Sequence, residues 1–227
     1  MTRAPAAAFV LAFVVGYVVV GAAGWERFTP SACVAERRCY CEADAGGLFR
    51  QPANTASNLG FLVVALAITA ELDRRRARLL TADTGFALLV ALVGVGSVAK
   101  HGTLTMLGGK LDVASMLAFA AFLVADAASK GRPRVTLTRA FVGLAGASLA
   151  LYALWPRAGA TVVGMLALGY GALAWRSRTG WLAFAGACFA AALAFWLLSQ
   201  TDGVLCAPGS AWQDHAAWSP RPRRKAG

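Results

Sequence analysis

Long apolar runs separated by short polar breaks dominate the chain: Ala6–Ala23, Asn58–Glu71, Thr84–His101, a run opening at Leu111, Leu137–Trp155, Thr161–Trp175 and Trp181–Leu198. Such runs read as membrane helices, because a helix satisfies its own backbone polar groups where no water can. The pattern predicts an all-α, polytopic transmembrane helix bundle of about seven spans, counting the N-terminal one. Ala6–Ala23, preceded by Arg3, has two readings: a first transmembrane helix, or a signal peptide with small residues at Gly21 and Ala23. Either way, Trp25 to Pro52 lies beyond the membrane.

The breaks carry the topology. Asp73-Arg74-Arg75-Arg76-Ala77-Arg78, Lys130-Gly131-Arg132-Pro133-Arg134 and Arg176-Ser177-Arg178 are basic and mark the cytoplasmic side. The intervening segments, Trp25–Pro52, Pro156–Gly159 and Ser199–Ser210, then share the opposite side, and Trp155, Trp175 and Trp181 suit the interfacial belt. Gly143, Gly146 and Gly164 read as helix packing points.

One break is too polar for bilayer filling. Between Ser97 and Met116, Ser97 and His101 stand four apart and share a helix face, and Asp112 with Ser115 and Met116 repeats that spacing. A hydroxyl, an imidazole and a carboxylate therefore gather at one depth, where ionisable groups are costly and read first as a functional site. The bland readings are that Asp112 caps its helix, that Ser97 bonds back to its own backbone, and that Asn54-Thr55-Ala56-Ser57-Asn58 is a helix start rich in capping groups.

Composition narrows the class. With 58% hydrophobic and 15% charged residues, the 227-residue chain fits one membrane unit. Its net charge of +11 belongs to loop arginines and lysines, so topology accounts for it and nucleic acid is not an expected partner. The expected location is a bacterial inner membrane. Of five cysteines, Cys33, Cys39, Cys41 and Cys206 lie outside the apolar runs, on the side opposite the arginines, and suggest disulfides; Cys188 reads as a buried, inert thiol. Four cysteines allow three pairings, and spacing does not choose among them.

The chain has two histidines, His101 and His215, both near the outer surface in this topology. Imidazole is a common zinc ligand, and a catalytic zinc takes three protein ligands with a fourth position for water. A zinc-held water loses its proton near neutral pH, with Asp112 as the candidate base, and Ser97 can donate to the oxygen that gains charge when an amide carbonyl is attacked. A substrate reaching this depth comes from the bilayer, so an acylated lipid is expected.

Ser97-x-x-x-His101, Asp112-x-x-Ser115-Met116 and Gln213-Asp214-His215-Ala216-Ala217-Trp218 resemble three signatures of the alkaline ceramidase family, seven-helix membrane amidases that use zinc. A fourth match is Cys41-Glu42 followed by Asn54-Thr55-Ala56-Ser57-Asn58-Leu59. The resemblance implies a zinc amidase that cleaves the N-acyl bond of ceramide-like lipids, with His101 and His215 as zinc ligands, Asp112 on the water and Ser97 on the oxyanion. It also implies a Cys41–Cys206 disulfide and a calcium ion near Tyr40, Glu42 and Asp44. The family carries acids where this chain has Cys39 and Gln51, and a second histidine where it has Ser219.

On this reading residues 1–24 form the N-terminal helix or signal peptide, 25–218 the ceramidase-like domain, and 219–227 a basic Pro/Arg-rich tail that does not continue a span. The alternative is a ceramidase-like membrane protein that binds lipid without turnover.

Overall fold

The computed structural model describes residues 3–35, 41–75, 81–130, 133–175, 184, 187–188, 190–191, 194, 198 and 204–206. The described chain is helical: α1 (Arg3–Ala22), a short α2 (Ala32–Ala35), α3 (Pro52–Arg74), α4 (Ala82–Thr103), α5 (Met106–Ser129), α6 (Arg134–Leu154) and α7 (Gly159–Ala174). Five helical segments are long and apolar enough to cross a membrane: Pro52–Arg74, Ala82–Thr103, Met106–Ser129, Thr136–Leu154 and Pro156–Ala174. Apolar side chains such as Val63, Val142, Met165 and Leu168 remain exposed on the bundle's outside, as a lipid-facing surface requires. Most of the last apolar run, Trp181–Leu198, lies outside the described residues.

α4 is the central helix. It packs against α3 on one side and α5 on the other, and α5 in turn carries α6 and α7. The α4–α5 contact is close because two glycines remove side chains from it. A Cβ on Gly96 would stand 2.9 Å from the Leu111 carbonyl oxygen and 3.0 Å from Asp112 Cα, and one on Gly108 would stand 2.5 Å from the Ala99 carbonyl oxygen. By contrast, Gly143, Gly146 and Gly164 meet nothing within 4 Å among the described residues, so the packing role that their sequence suggested finds no partner there. These three lie on α6 and α7, outside the α4–α5 seam, and apolar character alone does not report which way a membrane helix is turned.

Two helix starts fall earlier than the apolar pattern indicated. α3 begins at Pro52, ahead of Asn58, with proline in the first turn where its missing N–H costs nothing. α5 begins at Met106, ahead of Leu111, because the Thr105 hydroxyl caps it by accepting from Gly108 N at 3.1 Å. Asp112 therefore lies in the second turn and does not cap its helix.

The expected capping groups of Asn54–Asn58 do not cap α3 either. Thr55 and Ser57 return their hydroxyls to the carbonyls of Gln51 and Asn54, and the cap comes from outside the helix. Both Glu42 carboxylate oxygens accept at 2.7 Å, one from Ala53 N and the other from Asn54 N. An acidic group on these orphan amides also complements the helix dipole.

The outer segment is tied to the α4–α5 turn. α4 ends with Leu104 at φ 51°, a left-handed conformation that lets the chain reverse into Thr105. Ser31 N donates to the Leu104 carbonyl and Met106 N to that of Thr29, while Arg50 N and Gln51 N donate to the carbonyls of Gly102 and His101. Three of these bonds satisfy carbonyls that the end of α4 leaves without helical partners, and the fourth satisfies the first amide of α5. Farther back, Tyr17 on α1 and Trp25 both donate to the Leu48 carbonyl, at 2.8 and 3.0 Å. The start of α3, the end of α4 and the start of α5 thus meet, and the buried polar side chains Glu42, Gln51, Thr55, His101, Thr103, Thr105, Asp112 and Ser115 gather around that junction.

Candidate functional site

Asp112 is 4% exposed, and both of its carboxylate oxygens are engaged. Ser97 Oγ donates to Oδ1 at 2.5 Å, and Lys100 Nζ approaches Oδ2 at 2.8 Å. Ser97 and Lys100 are one turn apart on α4 and so reach the same carboxylate across the glycine-lined seam. Ser97 does not bond back to its own helix here. Ser115 supports the turn below, its hydroxyl donating to the Asp112 carbonyl at 2.7 Å. Met116, which shared the expected face, is exposed.

His101 is buried and turns to a different partner. Its Nδ1 lies 2.8 Å from Gln51 Oε1, and the Gln51 amide nitrogen donates to the Glu42 carbonyl at 2.8 Å. Gln51 is wholly buried. The imidazole is therefore set from the outer segment, whereas Asp112 is set from within α4.

Of the residues expected in the site, Ser97 and Asp112 are joined directly, and His101 sits one turn above Ser97 on α4. His215, the other expected zinc ligand, lies outside the described residues, as do Tyr40, Cys39 and Ser219. Among the described residues no three His, Cys, Asp or Glu side chains gather around a metal position. His101 does fit a zinc ligand in one respect: metal-bound histidines characteristically donate their second ring nitrogen to a carbonyl or carboxylate, the kind of bond that Gln51 Oε1 offers.

Glu42 and Asp44 fit a calcium ion poorly. The Glu42 oxygens are occupied by the α3 amides. Asp44 accepts from Gly46 N and Arg50 Nε on one oxygen and pairs with the Arg50 guanidinium through the other. A dication there would have to displace a guanidinium. That guanidinium, hydrogen-bonded to Asp44, holds its carboxyl below the usual carboxylate range, against a smaller opposing effect of burial.

The structure joins Cys41 to Cys206 in a disulfide, with Cα atoms 5.2 Å apart. This ties the segment carrying Glu42 to the chain beyond the last apolar run. Cys188 is exposed, contrary to the expectation of a buried thiol. An apolar run does not say which of its faces is covered, and a thiol is apolar enough to face hydrocarbon.

Two residues of this junction were not assigned to the chemistry by their sequence. Lys100 was given no role, although its three-residue spacing from Ser97 was a usable signal. Gln51 stood out only as a departure from an acidic position, and nothing local announces a contact with a residue fifty positions away. No family model, no curated protein and no solved structure matches the chain.

Proposed function

We propose that the chain is a zinc-dependent, ceramidase-like membrane amidase that hydrolyses the N-acyl bond of ceramide-like lipids from the outer half of a bacterial inner membrane. The observation that carries this reading is the 2.5 Å hydrogen bond between Ser97 and the buried Asp112, which unites two motifs separated in sequence and one turn below an imidazole. His101 and His215 are the residues that would hold zinc. When bound, zinc supplies Lewis acidity toward a carbonyl and lowers the pKa of water at its open position.

The chain's own groups suit the proton traffic of amide hydrolysis. Asp112 is an acceptor at both oxygens, with Lys100 balancing its charge in a site of low water content. Ser97 has a single O–H, which Asp112 holds in the resting arrangement. Once Asp112 takes a proton, it can return a hydrogen bond to Ser97 Oγ, and the serine O–H is released toward the carbonyl oxygen that gains charge. One hydrogen bond thereby couples base and oxyanion donor: the second becomes available only after the first has acted. The same Asp112 then has a proton to give to the leaving amine.

Purified protein should carry stoichiometric zinc by elemental analysis and show chelator-sensitive cleavage of an N-acylsphingosine in mixed micelles. Asp112→Asn should lower the rate by about 10²- to 10⁴-fold. Protein without zinc, or an Asp112→Asn variant with the parent's rate, refutes the proposal.

The second reading, a lipid-binding protein of the same build without turnover, draws on Ser219 at the position of the family's second histidine. It is favoured if lipid binds and neither zinc nor cleavage is found.

A further inference from the structure

We infer that Gln51 is a positioning residue that sets which nitrogen of His101 is presented to the candidate site. One atom in this contact can play only one part. The Glu42 main-chain carbonyl only accepts, so the group 2.8 Å from it on Gln51 is the amide nitrogen, Nε2. The amide's orientation is thereby decided, and its oxygen Oε1 faces His101 Nδ1 at 2.8 Å. Oε1 also only accepts, so Nδ1 carries the ring hydrogen and the lone pair of the neutral imidazole lies on Nε2.

The backbone makes the clamp two-pointed. Gln51 N donates to the His101 carbonyl at 3.0 Å while the Gln51 side chain accepts from the His101 ring. With Gln51 wholly buried, no water competes for the amide. The clamp is anchored at its far end as well. Glu42 caps α3 through its carboxylate and orients Gln51 through its carbonyl, and the adjacent Cys41 is bonded to Cys206. The ring hydrogen of His101 is therefore dictated by the disulfide-tied outer segment and not by α4, which carries the histidine.

The role toward a metal rests on the reading of His101 as a zinc ligand, but the hydrogen's location does not, and the experiment keeps them apart. The full chain, labelled with [15N]histidine, is reconstituted in lipid nanodiscs without metal. Its two histidines give two sets of ring signals in long-range proton–nitrogen correlation spectra, assigned by a His215→Gln variant. His101 of the parent is expected as the Nδ1–H form alone. Gln51→Leu, which offers no acceptor, should let the Nε2–H form appear, whereas Gln51→Glu, which still accepts from Nδ1, should keep the parent's form.

With buffered zinc alone as the probe, Gln51→Leu should bind roughly 10- to 100-fold more weakly than the parent. An Nε2–H signal for His101 in the parent overturns the inference without reference to any variant, as does a Gln51→Leu spectrum identical to the parent's. If the forms behave as stated and no zinc binds, the amidase proposal fails and the assignment of the ring hydrogen to Gln51 stands.

Discussion

Replacing Lys100 with methionine tests the energetics of the junction most directly, since it removes one charge of a buried pair while keeping the stem that packs beside it. The side chains of Lys100 and Asp112 are 19% and 5% exposed, so the carboxylate is desolvated and the ammonium largely so. Breaking such a pair by deleting one partner costs about 3–5 kcal/mol when the survivor is left without compensation. Here the survivor keeps the hydrogen bond from Ser97, and a bond to a charged group recovers about 1.5–3 kcal/mol of net stability. The expected loss is accordingly about 2–3 kcal/mol, at or just below the lower end of that range.

Asp112→Asn removes the charge that needed balancing, so Lys100→Met made in that background should cost much less. The double-mutant cycle should show a coupling of about 2 kcal/mol, within the span found for residues in one network. Unfolding free energies of the four proteins, measured by denaturant titration in one detergent, give the answer. Additivity to within about 0.5 kcal/mol would refute the idea that Lys100 stabilises the fold through Asp112.

Two further outcomes follow from the same geometry. Gly96→Ala forces a Cβ against the α5 backbone at Leu111 and Asp112, which cannot yield as a side-chain tip can; a loss of about 1–3 kcal/mol is expected by the same titration, and a neutral result would mean the seam is looser than described. For Asp44, whose carboxyl is held below the usual range by Arg50, the pair contributes stability above the ordinary aspartate pKa of about 3.9 and loses it as pH falls through the lower folded value. Carbon-detected titration should find Asp44 below that ordinary value in the parent and returned toward it in Arg50→Gln; equal values in the two proteins would show that the guanidinium is not the cause.

Much of the helical order was legible in the pattern of apolar runs, because burying a backbone in hydrocarbon demands long uninterrupted helices and tolerates charge only between them. The helices Ala82–Thr103 and Gly159–Ala174 and the span Thr136–Leu154 begin within two residues of the runs at Thr84, Thr161 and Leu137. Hydropathy failed at the starts of α3 and α5, where the governing bonds come from the Glu42 carboxylate and the Thr105 hydroxyl. The shared face of Ser97 and His101 was legible too, since i and i+4 are neighbours on any helix.

What the sequence by itself determined is the helical, membrane-spanning character of the described chain, the break between Ser97 and Met116, and the kinds of groups gathered there. These depend on composition and on short-range periodicity, which act through the local backbone. The tertiary structure alone decided which partner each group meets: Lys100 on Asp112, Gln51 on His101, Glu42 on the start of α3, and glycines 96 and 108 at a close helix contact. Those choices depend on how helices are rotated and how far they approach, and the low-dielectric interior raises the stakes of each, since a buried polar atom without a partner is costly wherever its partner lies along the chain.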